Sequence, residues 1–184
     1  MILRNTIYFV VLFFIFSCSH NKNKQEFDIE KYISEEIQKL EKENINLKIF
    51  NQKVFLGNDS LINFDLKNYV PNNKILFWFS QNTCSPCIDS CIDIIKNVFP
   101  DYENNESIIF VSPDYPVRFR NNCYNKKLLT LENKYLGIDL EKNDIPFFLI
   151  LNSDLKIESI HIVNKVDFLK TEKYLYNARS LVFH

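Results

Sequence analysis

Four consecutive residues, Cys84-Ser85-Pro86-Cys87, carry most of the chemistry this sequence offers. If a helix begins at the first cysteine, two intervening residues leave the second sulfur within bonding reach of the first. A cysteine at a helix N-terminus faces unpaired amide hydrogens and the positive end of the helix dipole. Both favour thiolate over thiol, and the thiolate is the nucleophile. Pro86 suits the first turn, where its missing N–H costs nothing. The expected chemistry is thiol–disulfide exchange. Cys84 attacks a substrate disulfide to form a mixed disulfide; Cys87, one turn deeper, attacks that bond and releases the reduced product. A Cys-x-x-Cys alone is a weak signal, because zinc ribbons also contain it. Its position in the chain has to decide.

The elements around the pair are those such chemistry needs. Lys74 leads into Ile75-Leu76-Phe77-Trp78-Phe79-Ser80, an almost continuous apolar run suited to a strand buried on both faces. Gln81-Asn82-Thr83 breaks it, and beyond the cysteines Ile88, Ile92, Ile95 and Phe99 recur at helical spacing up to Pro100. The cysteines therefore sit where a buried strand gives way to a helix. Ser107–Ser112 predicts a second apolar strand and Pro146–Leu151 a third. Asn152-Ser153-Asp154 predicts a turn, after which Ile157–Val163 returns as a neighbouring strand. Leu47–Leu56 predicts a hairpin, with a turn at Gly57-Asn58-Asp59. Asp114–Leu131 is mixed in character and expected to contain a helix. Asn164 is expected to cap a last helix, with Asp167 in its first turn and Phe168, Leu175, Ala178 and Val182 facing inward. In front of all this, Glu26–Asn44 predicts a charged helix with Ile33, Ile37 and Leu40 on one face. There is no internal repeat. The order of elements describes an α/β fold with a central mixed β-sheet flanked by helices and an N-terminal extension.

Composition narrows the function. The chain has 184 residues, about one domain's worth, and 46% are hydrophobic, enough for a core. Lys and Arg total 22 against 23 Asp and Glu, so no basic excess exists to hold a phosphate backbone, and no nucleic-acid partner is expected. Two glycines exclude glycine-rich nucleotide loops, and three histidines argue against a multi-histidine metal centre. No cofactor and no resident metal are expected.

Phe77-Trp78-Phe79-Ser80 running into Cys84-Ser85-Pro86-Cys87 resembles the active-site approach of the thioredoxin-like family. Ile145-Pro146-Phe147 is similar to that family's cis-proline motif, and Tyr135-Leu136-Gly137-Ile138 to its lead-in. Leu61–Leu66 is similar to the corresponding segment of periplasmic TlpA-like thiol–disulfide oxidoreductases. The resemblance runs from about Leu47 to the C-terminus. It implies a thioredoxin-like fold, a redox-active disulfide between Cys84 and Cys87, and a cis bond before Pro146. It also implies substrate binding at Ile145 and Pro146, with Ile145 presenting backbone groups to the substrate chain. The long spacing from Cys87 to Pro146 marks an insertion over Asp114–Asn143. Two features depart from the pattern. Thr83 stands where the family carries tryptophan, and Ile75–Ser80 hold no buried acid, with Asp89 expected exposed on the new helix. Pro86 resembles the reducing members, which implies the reducing direction and an electron donor in the membrane.

Two further cysteines leave alternatives. Cys91 lies on the Ile88–Ile95 stripe and reads either as a small buried hydrophobe or as the partner of Cys123 in a second disulfide. A third reading makes Cys84, Cys87 and Cys91 metal ligands together with His161, although His161 falls on a predicted strand and reads as a surface residue. Trp78 reads as core. Beside the enzyme stands a second function: a non-catalytic lipoprotein on the same scaffold that binds a metal ion or a partner protein.

The N-terminus reads as an address. Arg4 is its only charge, and Ile7–Phe16 is an unbroken apolar run, shorter than the roughly 20 residues that span a bilayer. Ile15-Phe16-Ser17-Cys18 resembles a bacterial lipobox, which implies that Cys18 is lipidated and becomes the new N-terminus. Ser19 after it implies the outer membrane. The expected organisation is a signal over residues 1–17, a polar tether over 18–26, an N-terminal helix over 27–46 and a thioredoxin-like domain over 47–184. The expected location is the cell envelope, lipid-anchored and facing the periplasm. The partners are extracytoplasmic protein disulfides or thiols, the membrane electron donor, and the membrane itself through the lipid on Cys18.

Overall fold

The computed structural model describes residues 29–58 and 63–183. Residues 29–44 form helix α1, and the described chain divides into two compact units between Leu40 and Glu41. The signal, Cys18 and the tether lie outside the described residues.

The second unit is built on one seven-stranded sheet. Its strands are β1 (Lys53–Leu56), β2 (Asn63–Asp65), β3 (Lys74–Trp78), β4 (Ile108–Val111), β5 (Leu128–Leu131), β6 (Phe147–Leu151) and β7 (Ile157–Ile162). A short helix α2 (Leu66–Tyr69) follows β2, and the long helices are α3 (Ser85–Val98) and α4 (Phe168–Val182). The spatial order is β2-β1-β5-β4-β3-β6-β7. Strands β3, β4 and β5 are mutually parallel, whereas β6 runs antiparallel to β3, and β7 antiparallel to β6. A parallel β3–α3–β4 unit joined to an antiparallel β6–β7 pair and a closing helix is the thioredoxin-like arrangement.

Strands β3 and β6 are buried along their whole lengths, as their uninterrupted apolar sequences require. Alternation along β3 sends Ile75 and Phe77 to the face covered by α3 and α4, where they join Ile88, Ile92, Ile95, Leu175 and Ala178 in one core. Phe77 stacks on Phe148 at 4.5 Å between centroids and meets Phe110 edge-on at 5.7 Å. Trp78, pointing the other way, is also buried and stacks on Phe147 at 4.9 Å.

The structure departs from the sequence reading in several places. Asp114–Leu131 holds no α-helix; it forms a 3-10 turn at Val117–Phe119 and the strand β5. Leu128–Leu131 is short and buried throughout, so no alternation marks it as a strand. Leu47–Leu56 is not a hairpin in itself: only Lys53–Leu56 is strand, paired with β2 on one side and β5 on the other. The N-cap of α4 is Asp167, not Asn164. The Asn164 side chain instead accepts the Val166 N–H at 3.0 Å, closing a turn before the helix. His161 is not a surface residue. Its ring is buried, with Nε2 2.9 Å from Thr171 Oγ1 and Nδ1 3.2 Å from Glu41 Oε1, and it stacks on Tyr174.

Candidate active site

The loop between β3 and α3 places the cysteines at the C-terminal end of β3. Cys84 is the N-cap of α3, and its carbonyl accepts the N–H groups of Cys87 and Ile88 at 2.9 and 3.1 Å. Pro86 falls in the first turn as expected. The Cys84 side chain caps nothing and is exposed, while Cys87 is half-buried behind it. All four described cysteines are free thiols in this structure, Cys91 and Cys123 among them.

The two thiols of the motif are not equivalent. Burial first, then the hydrogen bond to Cys84 and the charge that Cys84 carries when ionised, push the Cys87 thiol up to about 11. The Lys165 ammonium pulls weakly the other way. Cys87 therefore keeps its proton at neutral pH. Cys91, buried on the core stripe of α3, has its pKa raised by desolvation and by Cys87. Cys123 is pushed up to about 11 by burial, against a hydrogen bond with Tyr115. Both belong to the main core cluster. Asp89 is exposed and accepts the Tyr124 hydroxyl at 2.5 Å.

The register of β6 on β3 pairs Phe147 with Trp78 and so brings Ile145 and Pro146 to the cysteine end of the sheet. Pro146 is buried, Ile145 is exposed, and the Pro146 carbonyl accepts the Val163 N–H at 3.0 Å. The bond before Pro146 is trans, not cis as the resemblance implied. The reversal of the chain is supplied one residue earlier, where Asp144 takes the left-handed conformation with φ 51°, and trans is the lower-energy isomer.

Polar groups the sequence reading passed over hold this corner together. Ser80 Oγ donates to Asp144 Oδ1 at 2.6 Å and accepts the Asn82 N–H at 3.1 Å. Thr83 Oγ1 donates to the Asp144 carbonyl at 3.0 Å and accepts the Ser80 N–H at 3.0 Å. Asp114, past the end of β4, accepts the Gln81 N–H at 3.0 Å. Thr83, where the sequence resemblance led to an expected tryptophan, is thus a buried hydrogen-bonding residue. The one available signal for Asp144 was an aspartate placed two residues before proline, a turn-forming context. A buried acid does exist, but not in β3. Glu141 accepts the N–H groups of Leu136, Gly137 and Ile138 at 2.8, 2.9 and 3.2 Å. Desolvation raises its pKa and those amides oppose the rise.

The metal-binding alternative loses its geometry. His161 is engaged with Glu41 and Thr171, and no group of three or more His, Cys, Asp or Glu side chains among the described residues is arranged to hold a metal ion. A cavity of about 820 Å³ opens at the other end of β3 and β4, beside Lys74, Glu106 and Lys126, away from the cysteines. Cys84 is exposed and does not line this cavity.

No family model and no curated protein matches the chain. Among solved structures, the chain is similar to the mitochondrial 2-Cys peroxiredoxin of Plasmodium falciparum, with 13% identity and a TM-score of 0.47 over 74% of this chain and 92% of that one. A PrxQ mutant from Xylella fastidiosa aligns with 13% identity and a TM-score of 0.49 over 74% and 96%. An uncharacterized thioredoxin-like protein from Porphyromonas gingivalis aligns with 14% identity and a TM-score of 0.47 over 76% and 94%.

Proposed function

We propose that the protein is a thiol–disulfide oxidoreductase acting on protein disulfides outside the cytoplasm, in the reducing direction. The observation that carries this reading is the asymmetry of the pair: an exposed Cys84 at the N-cap of α3, hydrogen-bonded to a half-buried Cys87 that holds its proton. The Cys84 thiolate attacks one sulfur of a substrate disulfide. A Cys84–substrate disulfide forms, and the other substrate sulfur leaves as a thiolate that takes up a proton. Cys87 then loses its proton and attacks Cys84. The second substrate thiol is released, the substrate has gained two electrons, and Cys84 and Cys87 are left as a disulfide. A dithiol donor at the membrane returns the pair to thiols. An exposed nucleophile suits a macromolecular disulfide, with Ile145 and Pro146 as the docking edge.

The lipobox resemblance supports tethering through lipidated Cys18 and a site at the outer membrane facing the periplasm. The decisive assay is reduction of insulin disulfides by the dithiol-charged protein. Turnover is expected, and Cys84→Ser should abolish it; equal turnover in that variant rejects Cys84 as nucleophile. Incorporation of labelled palmitate that disappears in Cys18→Ser tests the anchor.

A further inference from the structure

We propose that Asp144 is a positioning residue that locks the substrate-docking edge at Ile145 onto the loop presenting Cys84. The inference rests on the exchange function proposed above and concerns the same site.

Asp144 is attached to that loop twice, once through its side chain and once through its backbone. A carboxylate and a carbonyl can only accept, so the donors are set: Ser80 gives its hydroxyl proton to Asp144 Oδ1 and Thr83 gives its own to the Asp144 carbonyl. Each hydroxyl also accepts a backbone N–H from within the loop. Ser80 and Thr83 are 3% and 4% exposed while Asp144 lies at the surface, so the bonds are half-buried, with the donor hydroxyls on the dry side. Aspartate is among the few side chains that tolerate the left-handed backbone found here.

Fixing the Asp144 carbonyl fixes the plane of the peptide that follows, and with it the direction of the Ile145 N–H. Ile145 precedes a proline, which favours extended backbone. Its own N–H and C=O have no hydrogen-bond partner among the described residues. An extended chain can therefore pair with Ile145 in the manner of an added strand. Thr83, the residue bonded to Asp144, is the immediate neighbour of Cys84. Two contacts thus set the offset between a docked chain and the attacking sulfur, and alignment of that kind governs rate.

The test compares two disulfides that release the same chromophore on attack. One is a small symmetric aromatic disulfide, 5,5′-dithiobis(2-nitrobenzoate). The other is an extended cysteine peptide carrying one thionitrobenzoate group. The full chain with Cys87→Ser reports only the attack by Cys84. Asp144→Gly removes the carboxylate and accommodates the positive φ. It should slow attack on the peptide about tenfold, through a raised KM, and leave the small disulfide unchanged. Asp144→Asn keeps an acceptor oxygen and should restore the peptide rate. If Asp144→Gly does not fold, Thr83→Val breaks the backbone contact and should show the same selective loss. An unchanged peptide rate, or equal slowing of both disulfides, overturns the proposal. A parent protein inert to the small disulfide overturns the exchange function itself, and the positioning role with it.

Discussion

Cys84 and Cys87 differ by a single turn of helix, yet the structure gives them different surroundings. Exposure makes Cys84 the sulfur a partner can reach, while burial and the neighbouring sulfur keep Cys87 protonated. In a mixed disulfide the Cys84 sulfur is covalently bound, but the burial of Cys87, the largest cause of its raised pKa, persists. Release of product requires the Cys87 thiolate, whose fraction grows as pH rises toward its pKa. Single-turnover release from a Cys84 mixed disulfide should therefore speed up about tenfold per pH unit through neutrality and level off no higher than about pH 11. A flat profile would show that another step limits release. Lys165 is the cation that acts on Cys87 in the favourable direction. Lys165→Glu should shift that profile to higher pH without unfolding the chain, since the residue is exposed. The placement of the pair at a strand–helix junction was readable in the sequence, because the motif, the apolar run before it and the helical spacing after it are all local. Asp144 was not readable, because its partners Ser80 and Thr83 are more than sixty positions away.

The site also depends on elements that never touch a substrate. Strand β3 holds the loop only because Phe77 is wedged between Phe148, Phe110 and Phe79. Phe77→Ala should cost about 3–5 kcal/mol of stability, read as a lower urea midpoint, with exchange activity lost in proportion to the unfolded fraction. The segment before Ile145 is held differently, by the Glu141 carboxylate on three consecutive amides. Gly137, at the middle of that cradle, has φ +92°, and an added Cβ would lie 2.8 Å from the Phe50 ring. Gly137→Ala is therefore strained by both backbone and contact. It should destabilise the protein by roughly 1 kcal/mol or more, measured by thermal unfolding. Helix α3 was legible from its apolar spacing, and β3, β4 and β6 from their apolar runs. Strand β5 was not, since a short wholly buried strand carries no period of its own. The resemblance pointed to a cis bond before Pro146, whereas the structure has a trans bond there and a left-handed Asp144 two residues before the proline.

At the scale of the molecule, the three parallel strands β5, β4 and β3 carry antiparallel strands on both flanks, and the Cys84 loop and the Ile145–Pro146 segment both emerge where β3 meets β6. The cavity beside Lys74, Glu106 and Lys126 lies at the end of β3 and β4 opposite the cysteines. If the direction is reducing, the potential of the Cys84–Cys87 pair should lie nearer about −270 mV than about −120 mV when equilibrated with glutathione. An oxidising value would reverse the assigned flow of electrons while sparing the exchange chemistry. The buried His161, expected at the surface or on a metal, instead joins α4 to Glu41 and β7 through Thr171 and the Glu41 carboxylate, which also accepts the Ile162 N–H.

The sequence alone determined what is local: a dithiol motif, the strand and helix on either side of it, an apolar content sufficient for a core, and a charge balance unsuited to nucleic acid. Periodicity and spacing act over a few residues, so they are visible without coordinates. Only the tertiary structure decided which distant groups meet. Ser80 and Thr83 find Asp144, His161 finds Glu41, and Cys87 acquires the burial that separates its role from that of Cys84. These are outcomes of strand register and packing, which bring together residues whose separation along the chain carries no pattern.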